Sequence, residues 1–125
     1  MKINPYKEKS DEAWDDGVSF LKAGKTNAAA NRLYYATFQA IKGHFVSKGK
    51  MTVDEQNAVH RKILDLICPR NETNKKTNYR KTVNKLFTHR ITADYKLENV
   101  ESEALSYLMT EANIIRTEYL QPQDN

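Results

Sequence analysis

Residues 28–40 read Ala-Ala-Ala-Asn-Arg-Leu-Tyr-Tyr-Ala-Thr-Phe-Gln-Ala and set one arginine, Arg32, inside a segment that is otherwise small and aromatic. A long cation beside an apolar stripe is tolerated only for a salt bridge or for a specific use. Further along, Arg70, Lys75, Lys76, Arg80 and Lys81 put five cations into twelve residues with only Glu72 opposing. Such a run either solvates a loop or holds a phosphate backbone, and Tyr79 is the only ring within it to stack on a base. Arg90 and Asp94 stand at i, i+4, so they pair to pin a helix end, or Arg90 adds a cation to a binding cleft; Tyr95 follows directly. His44, His60 and His89 lie far apart, and no two of them sit at helical ligand spacing with a carboxylate. Cys68 is the only cysteine, which excludes an intramolecular disulfide and a multi-cysteine zinc site; before Pro69 it reads as a small buried apolar residue. No phosphate-cradling glycine loop, HExxH, CxxC, EF-hand or nucleophile elbow occurs, and neither a metal nor a cofactor is expected.

Helices must position these side chains. Trp14, Val18 and Leu21, with Ser10 one turn earlier, form a stripe between Tyr6 and Ala23, and Gly24 is a good stop. From Thr26 or Asn27 to about Val46, Ala30, Leu33, Thr37, Ile41 and Phe45 keep the same spacing, widened by Tyr34 and Phe38. At about twenty residues, or roughly 30 Å, this helix crosses a small domain from end to end. Thr52 and Glu55 have capping-box spacing and open a third helix that buries Val53, His60, Ile63, Leu64 and Ile67 and ends at Pro69. Residues 70–78 contain no apolar side chain and read as a loop. A fourth helix runs from about Tyr79 to Ala93 with Val83, Leu86, Phe87 and Arg90 or Ile91 on one side. A fifth, from about Val100 to Tyr119, turns Ala104, Leu105, Leu108, Met109, Ala112, Ile115 and Tyr119 inward. Long helices on short connections predict an all-α, up-and-down four-helix bundle with one additional short helix, a single domain over residues 1–125.

Composition agrees. The chain of 125 residues is 39% apolar and 29% charged, enough to bury a core, while four glycines and three prolines are too few for the turns of sandwiches and barrels. The net charge of +4 is unevenly placed: residues 26–68 carry +3, residues 69–96 carry +6 and residues 97–125 carry −5. A basic middle beside an acidic end suits an anionic ligand or head-to-side self-association, and charge alone does not choose. Residues 1–16 hold no apolar run of signal-peptide length, and no stretch approaches a membrane span, so the expectation is a soluble cytoplasmic protein without membrane partners.

The run Asn31-Arg-Leu-Tyr-Tyr-Ala-Thr-Phe38 resembles the signature helix of HEPN domains, the nucleotide-binding helical bundles of higher eukaryotes and prokaryotes. Arg90-Ile-Thr-Ala-Asp94-Tyr95 is similar to the second signature of a bacterial subgroup, and the final long helix follows as it does there. The resemblance implies a bundle that often forms a homodimer, with two copies of the second helix facing one cleft. Many members are metal-independent endoribonucleases, often toxins or defence proteins, that use an arginine and a histidine on that helix. Attack of a ribose 2′-hydroxyl on its own phosphate needs a proton carrier that titrates near neutral pH and a fixed cation for the charge gathering on phosphorus.

Carried over by motif, the arginine is Arg32 and the histidine position is Gln39. Seven residues turn a helix by about 700°, some 20° short of two turns, so the two share a face. Glutamine orients a phosphate or a hydroxyl but cannot exchange a proton, which predicts weak or absent ribonuclease activity. His44, twelve residues from Arg32, lies about 120° around the helix and cannot substitute. His89 reads as a surface or helix-end residue, or one that approaches the cleft in a dimer, and His60 as a satisfied core histidine. Two classes stand open: an active or degenerate toxin or defence ribonuclease that binds RNA around Arg32, and a non-enzymatic bundle that binds a nucleotide or a nucleotidyltransferase antitoxin. In the subgroup paired with such a transferase a tyrosine after the motif is modified by nucleotides, which makes Tyr95 a distant candidate, although that subgroup's histidine is missing here.

Overall fold

The computed structural model describes residues 3–54 and 59–122. Five helices account for its regular structure: α1 (Lys7–Lys22), α2 (Thr26–Ser47), α3 (Val59–Ile67), α4 (Thr77–Tyr95) and α5 (Ser102–Leu120). No strand occurs among the described residues. α2 touches each of the other four helices. Cross-helix contacts give the directions: Ser10 meets Ala36, Asn31 meets Asp94, and Asn27 meets Val100 while His44 meets Tyr119. Thus α1 and α4 run antiparallel to α2 and α5 runs parallel to it, the up-and-down bundle expected, with α3 the short extra helix.

Gly24 (φ 76°) and Gly49 (φ 72°) end α1 and α2 in the same way. In each case the next amide reaches back five residues, Lys25 N–H to Phe20 O and Lys50 N–H to Phe45 O, a turn that needs a residue in the left-handed region. The α1 stripe is rotated from the one expected. Ser10, Ala13 and Gly17 form its buried centre and Trp14, Val18 and Leu21 its flanks. The cause is close approach, since a Cβ on Gly17 would lie 2.7 Å from Leu33 Cδ2, and only small residues let α1 sit this near α2. Ser10 donates its hydroxyl to Ala36 O at 2.7 Å, so the one polar group in this seam is satisfied.

Val53 is exposed rather than buried and lies in a turn instead of on a buried helix face; Glu55, the far half of the expected capping box, lies outside the described residues. The core divides into two clusters along α2. One gathers Ile41, Phe45, Ile63, Ile67, Val83 and Ile115, the other Leu33, Tyr34, Leu86, Leu105 and Leu108, and Phe38 packs against both. Two polar stitches hold the ends. Asn27 accepts from the Val100 amide at 3.0 Å, and buried Asn4 donates to Ala40 O at 2.8 Å and Tyr119 O at 3.1 Å while accepting from the Tyr6 amide at 2.9 Å.

Candidate functional site

Arg32 and Gln39 line one groove between α1 and α2, together with Lys9, Glu12, Ala13, Asp16 and Tyr35, as their spacing of two helical turns requires. The groove encloses about 260 Å³. The Arg32 guanidinium lies 5.1 Å from the centre of the Tyr35 ring, and its Nε and Nη2 donate to Asn31 Oδ1 at 3.1 and 2.8 Å. No carboxylate among the described residues forms an ion pair with Arg32, although Glu12 and Asp16 stand across the groove and balance Lys9 and Arg32 in formal charge. Gln39 Oε1 is buried without a hydrogen-bond partner among the described residues.

Asn31 joins the two motifs. Its Oδ1 accepts from Arg32 while its Nδ2 donates to Asp94 Oδ2 at 3.1 Å, an orientation that the charges of its two neighbours dictate. Asp94 Oδ2 in turn lies 3.0 Å from Arg90 Nε, an ion pair not aligned as a hydrogen bond, and the Arg90 guanidinium sits 5.8 Å from the Tyr95 ring. Arg32, Asn31, Asp94 and Arg90 are therefore one polar chain across α2 and α4. Arg90 and Asp94 make the i, i+4 pair, and Tyr95 is exposed at its end.

The histidines stand elsewhere, and none lines the Arg32 groove. His44 packs edge-on against Phe45 and Tyr119, and burial lowers its pKa, with Lys48 adding to the effect. His60 stacks on Phe87 at 3.8 Å, accepts or donates at Nδ1 with the Tyr34 hydroxyl at 3.0 Å, and has Asn84 Oδ1 3.4 Å from Nε2. Burial outweighs the Asn84 contact and lowers its pKa, so this ring is hydrogen-bonded as expected but half-buried at the edge of the α3–α4 cavity instead of in the core. Burial also lowers the pKa of His89 on α4.

The basic block does not act as one surface. Lys76 pairs with Glu118 and lies over the Tyr79 and Tyr119 rings, and Tyr79 itself packs on the core instead of offering a stacking face. Arg80 donates Nη1 to Asp65 at 2.8 Å and to Cys68 O at 2.7 Å. Lys75 is exposed and lines no cavity described for this chain. Arg70, Arg80 and Lys81 line a second and larger cavity between α3 and α4. Asn31, which orients Arg32, and Lys9, Glu12 and Asp16 in the groove wall are the residues that the sequence left without a role. The signal for Asn31 was its adjacency to Arg32; for the α1 residues there was none, because only the packing of α1 on α2 brings them to the groove.

The model of the HEPN domain matches residues 5–121 of the chain. The chain belongs to the HEPN domain family. Comparison with curated proteins finds no match. In this HEPN domain α2 is the central helix, and residues 90–95 at the end of α4 are tied to it through Asn31 and Asp94. Among the described residues no group of three His, Cys, Asp or Glu side chains is placed to hold a metal ion, and no helix is long and apolar enough to cross a membrane.

Proposed function

We propose that this HEPN domain binds RNA or a nucleotide at the Arg32 groove and is a catalytically weak or degenerate member of a toxin–antitoxin or defence system. One observation carries the reading: Arg32 and Gln39 share the wall of one groove that no histidine lines. The arginine, oriented by Asn31 and Tyr35, retains the means to hold a phosphate, whereas glutamine has no proton to exchange. In a homodimer with α2 facing α2, two copies of Arg32 meet in one cleft.

The test is cleavage of a mixed single-stranded RNA pool in the presence of a chelator by the native protein, Arg32→Ala and Gln39→His. The expected result is little or no cutting by the native protein and a gain with Gln39→His on the order of 10²-fold or more, the usual scale of general acid–base catalysis. Native cutting that Arg32→Ala abolishes would establish instead a metal-independent endoribonuclease centred on Arg32. A second reading, a non-enzymatic bundle that docks a nucleotidyltransferase antitoxin, draws support from Tyr95 and Leu97, large apolar side chains exposed next to Asp94. Salt separates the two: binding through cations weakens steeply with ionic strength, and an apolar docking face does not.

A further inference from the structure

The cavity between α3, the following loop and the first turns of α4 encloses about 590 Å³, against about 260 Å³ for the Arg32 groove. Arg61, Arg70, Arg80 and Lys81 line it, with Glu72 the carboxylate of the lining. Arg80 is a fixed cation: its Nη1 donates to Asp65 Oδ1 at 2.8 Å and to the Cys68 carbonyl at 2.7 Å. Asp65 Oδ1 also lies 3.8 Å from Arg70 Nε, so two of the four cations already share one carboxylate of the chain's own. Arg61 and Lys81 are exposed and form no ion pair among the described residues. Beside the cations, Leu64, Cys68 and Pro69 give the cavity an apolar floor.

We infer that this α3–α4 cavity docks a short acidic segment of a partner protein, its carboxylates on the cations and one apolar side chain on the floor. The arginines are already arranged to receive a carboxylate, as Asp65 shows, and arginine clusters are a general means of reading acidic motifs. A nucleic-acid strand would want rings on which to stack its bases. No Phe, Tyr or Trp lines the cavity among the described residues; Phe87 covers a face of His60 at 3.8 Å, and Tyr79 packs on the core. Glu72 sharpens the choice, since it repels a continuous polyanion, whereas discrete carboxylates on a flexible segment step around it. The floor adds the buried apolar anchor that charge alone lacks. The site shares no lining residue with the Arg32 groove and does not depend on that groove's reading.

NMR titrations of the isotope-labelled protein at low salt test it. The probe is a capped peptide, Asp-Glu-Leu-Glu-Asp, and its companions are the carboxamide analogue Asn-Gln-Leu-Gln-Asn, the acidic peptide with serine at its centre, and a short single-stranded RNA. The acidic peptide should bind and shift amides lining the α3–α4 cavity. Arg61→Gln and Lys81→Gln, both at exposed positions, should keep the native urea midpoint and each weaken the peptide about fivefold, the scale of one partly exposed ion pair. Lys22→Gln, which removes the same charge from an exposed position at the end of α1, should leave binding unchanged. The carboxamide and serine peptides should both bind more weakly. No binding at millimolar peptide, or shifts centred elsewhere, overturns the site. Equal loss in Lys22→Gln reduces the effect to bulk charge and overturns it too. A carboxamide or serine peptide that binds as well as the probe overturns an acidic, apolar-anchored occupant. RNA that displaces the peptide and weakens in Lys81→Gln makes the face a nucleic-acid surface instead. Failure of the RNA cleavage test leaves these titrations unaffected.

Discussion

A Cβ added at Gly43 would lie 1.8 Å from Asn4 Oδ1 and within 2.9 Å of its Cγ and Nδ2, so Gly43→Ala must expel the Asn4 side chain from its place between α2 and α5. Asn4 makes three hydrogen bonds there, two donated to helix carbonyls and one accepted from the Tyr6 amide. At about 1 kcal/mol net for each bond, Asn4→Ala should cost about 2–3 kcal/mol. Gly43→Ala should lose the same bonds but regain about 1 kcal/mol of helix propensity, a net cost of about 1–2 kcal/mol. In the Asn4→Ala background the clashing atoms are gone, and the same Gly43→Ala change should then stabilise by about 1 kcal/mol. Urea unfolding of the native protein, the two single variants and the double variant measures all four terms. The reversal of sign is the decisive quantity: equal cost of Gly43→Ala in both backgrounds, or no cost in either, refutes the account of residues 4–6 as a strap that ties the start of α1 to α2 and α5 through Asn4. The strap matters for the groove because it sets the entry of α1, which supplies Lys9, Glu12 and Asp16.

Two further outcomes follow from side chains already placed. Burial holds His44, His60 and His89 below the usual histidine value of 6.5, so the unfolded chain takes up protons before the folded one. Stability should therefore be full above about pH 6.5 and fall as the solution is acidified to about pH 5.5, read as a lower urea midpoint; an unchanged or higher midpoint would contradict the burial of these rings. Lys76→Ala should lower stability by about 1 kcal/mol through its lost ion pair and ring contacts, read as a lower urea midpoint, and an unchanged midpoint would refute a structural role for this lysine.

Much of this architecture is legible in the chain because α2 and α5 bury long apolar stripes at helical spacing and α4 a short one centred on Val83 and Leu86. The α1 face is not, since its centre is Ser10, Ala13 and Gly17, and small size signals close packing only when the opposing Leu33 is known. The Arg32–Gln39 alignment needs only the 3.6-residue turn, and the structure places both in one groove. What depends on a second helix stays hidden: Asn31 bridges to Asp94, sixty-three residues away, and Lys76 turns toward Glu118, forty-two away. The basic run from Arg70 to Lys81 illustrates the same limit: Arg70, Arg80 and Lys81 meet at the α3–α4 cavity, Lys76 turns to Glu118 and Lys75 stays exposed, a sorting set by the packing of α3, α4 and α5.

The bond pattern of Arg32 dictates how it meets an anion. A guanidinium offers five N–H donors, and Asn31 Oδ1 takes the Nε donor and one on Nη2, which is the whole of the side-on edge. What is left is the end-on edge, one Nη1 donor and the outer Nη2 donor, and a second Nη1 donor on the Cδ side, with the plane steadied by Tyr35. A phosphate that entered the groove would thus be received tip-first, by two parallel bonds at one heading, from a fork that Asn31 and Tyr35 already orient. Arg32 behaves less like a tethered charge than like a socket with a keyed slot, and the key is the amide of the residue just before it.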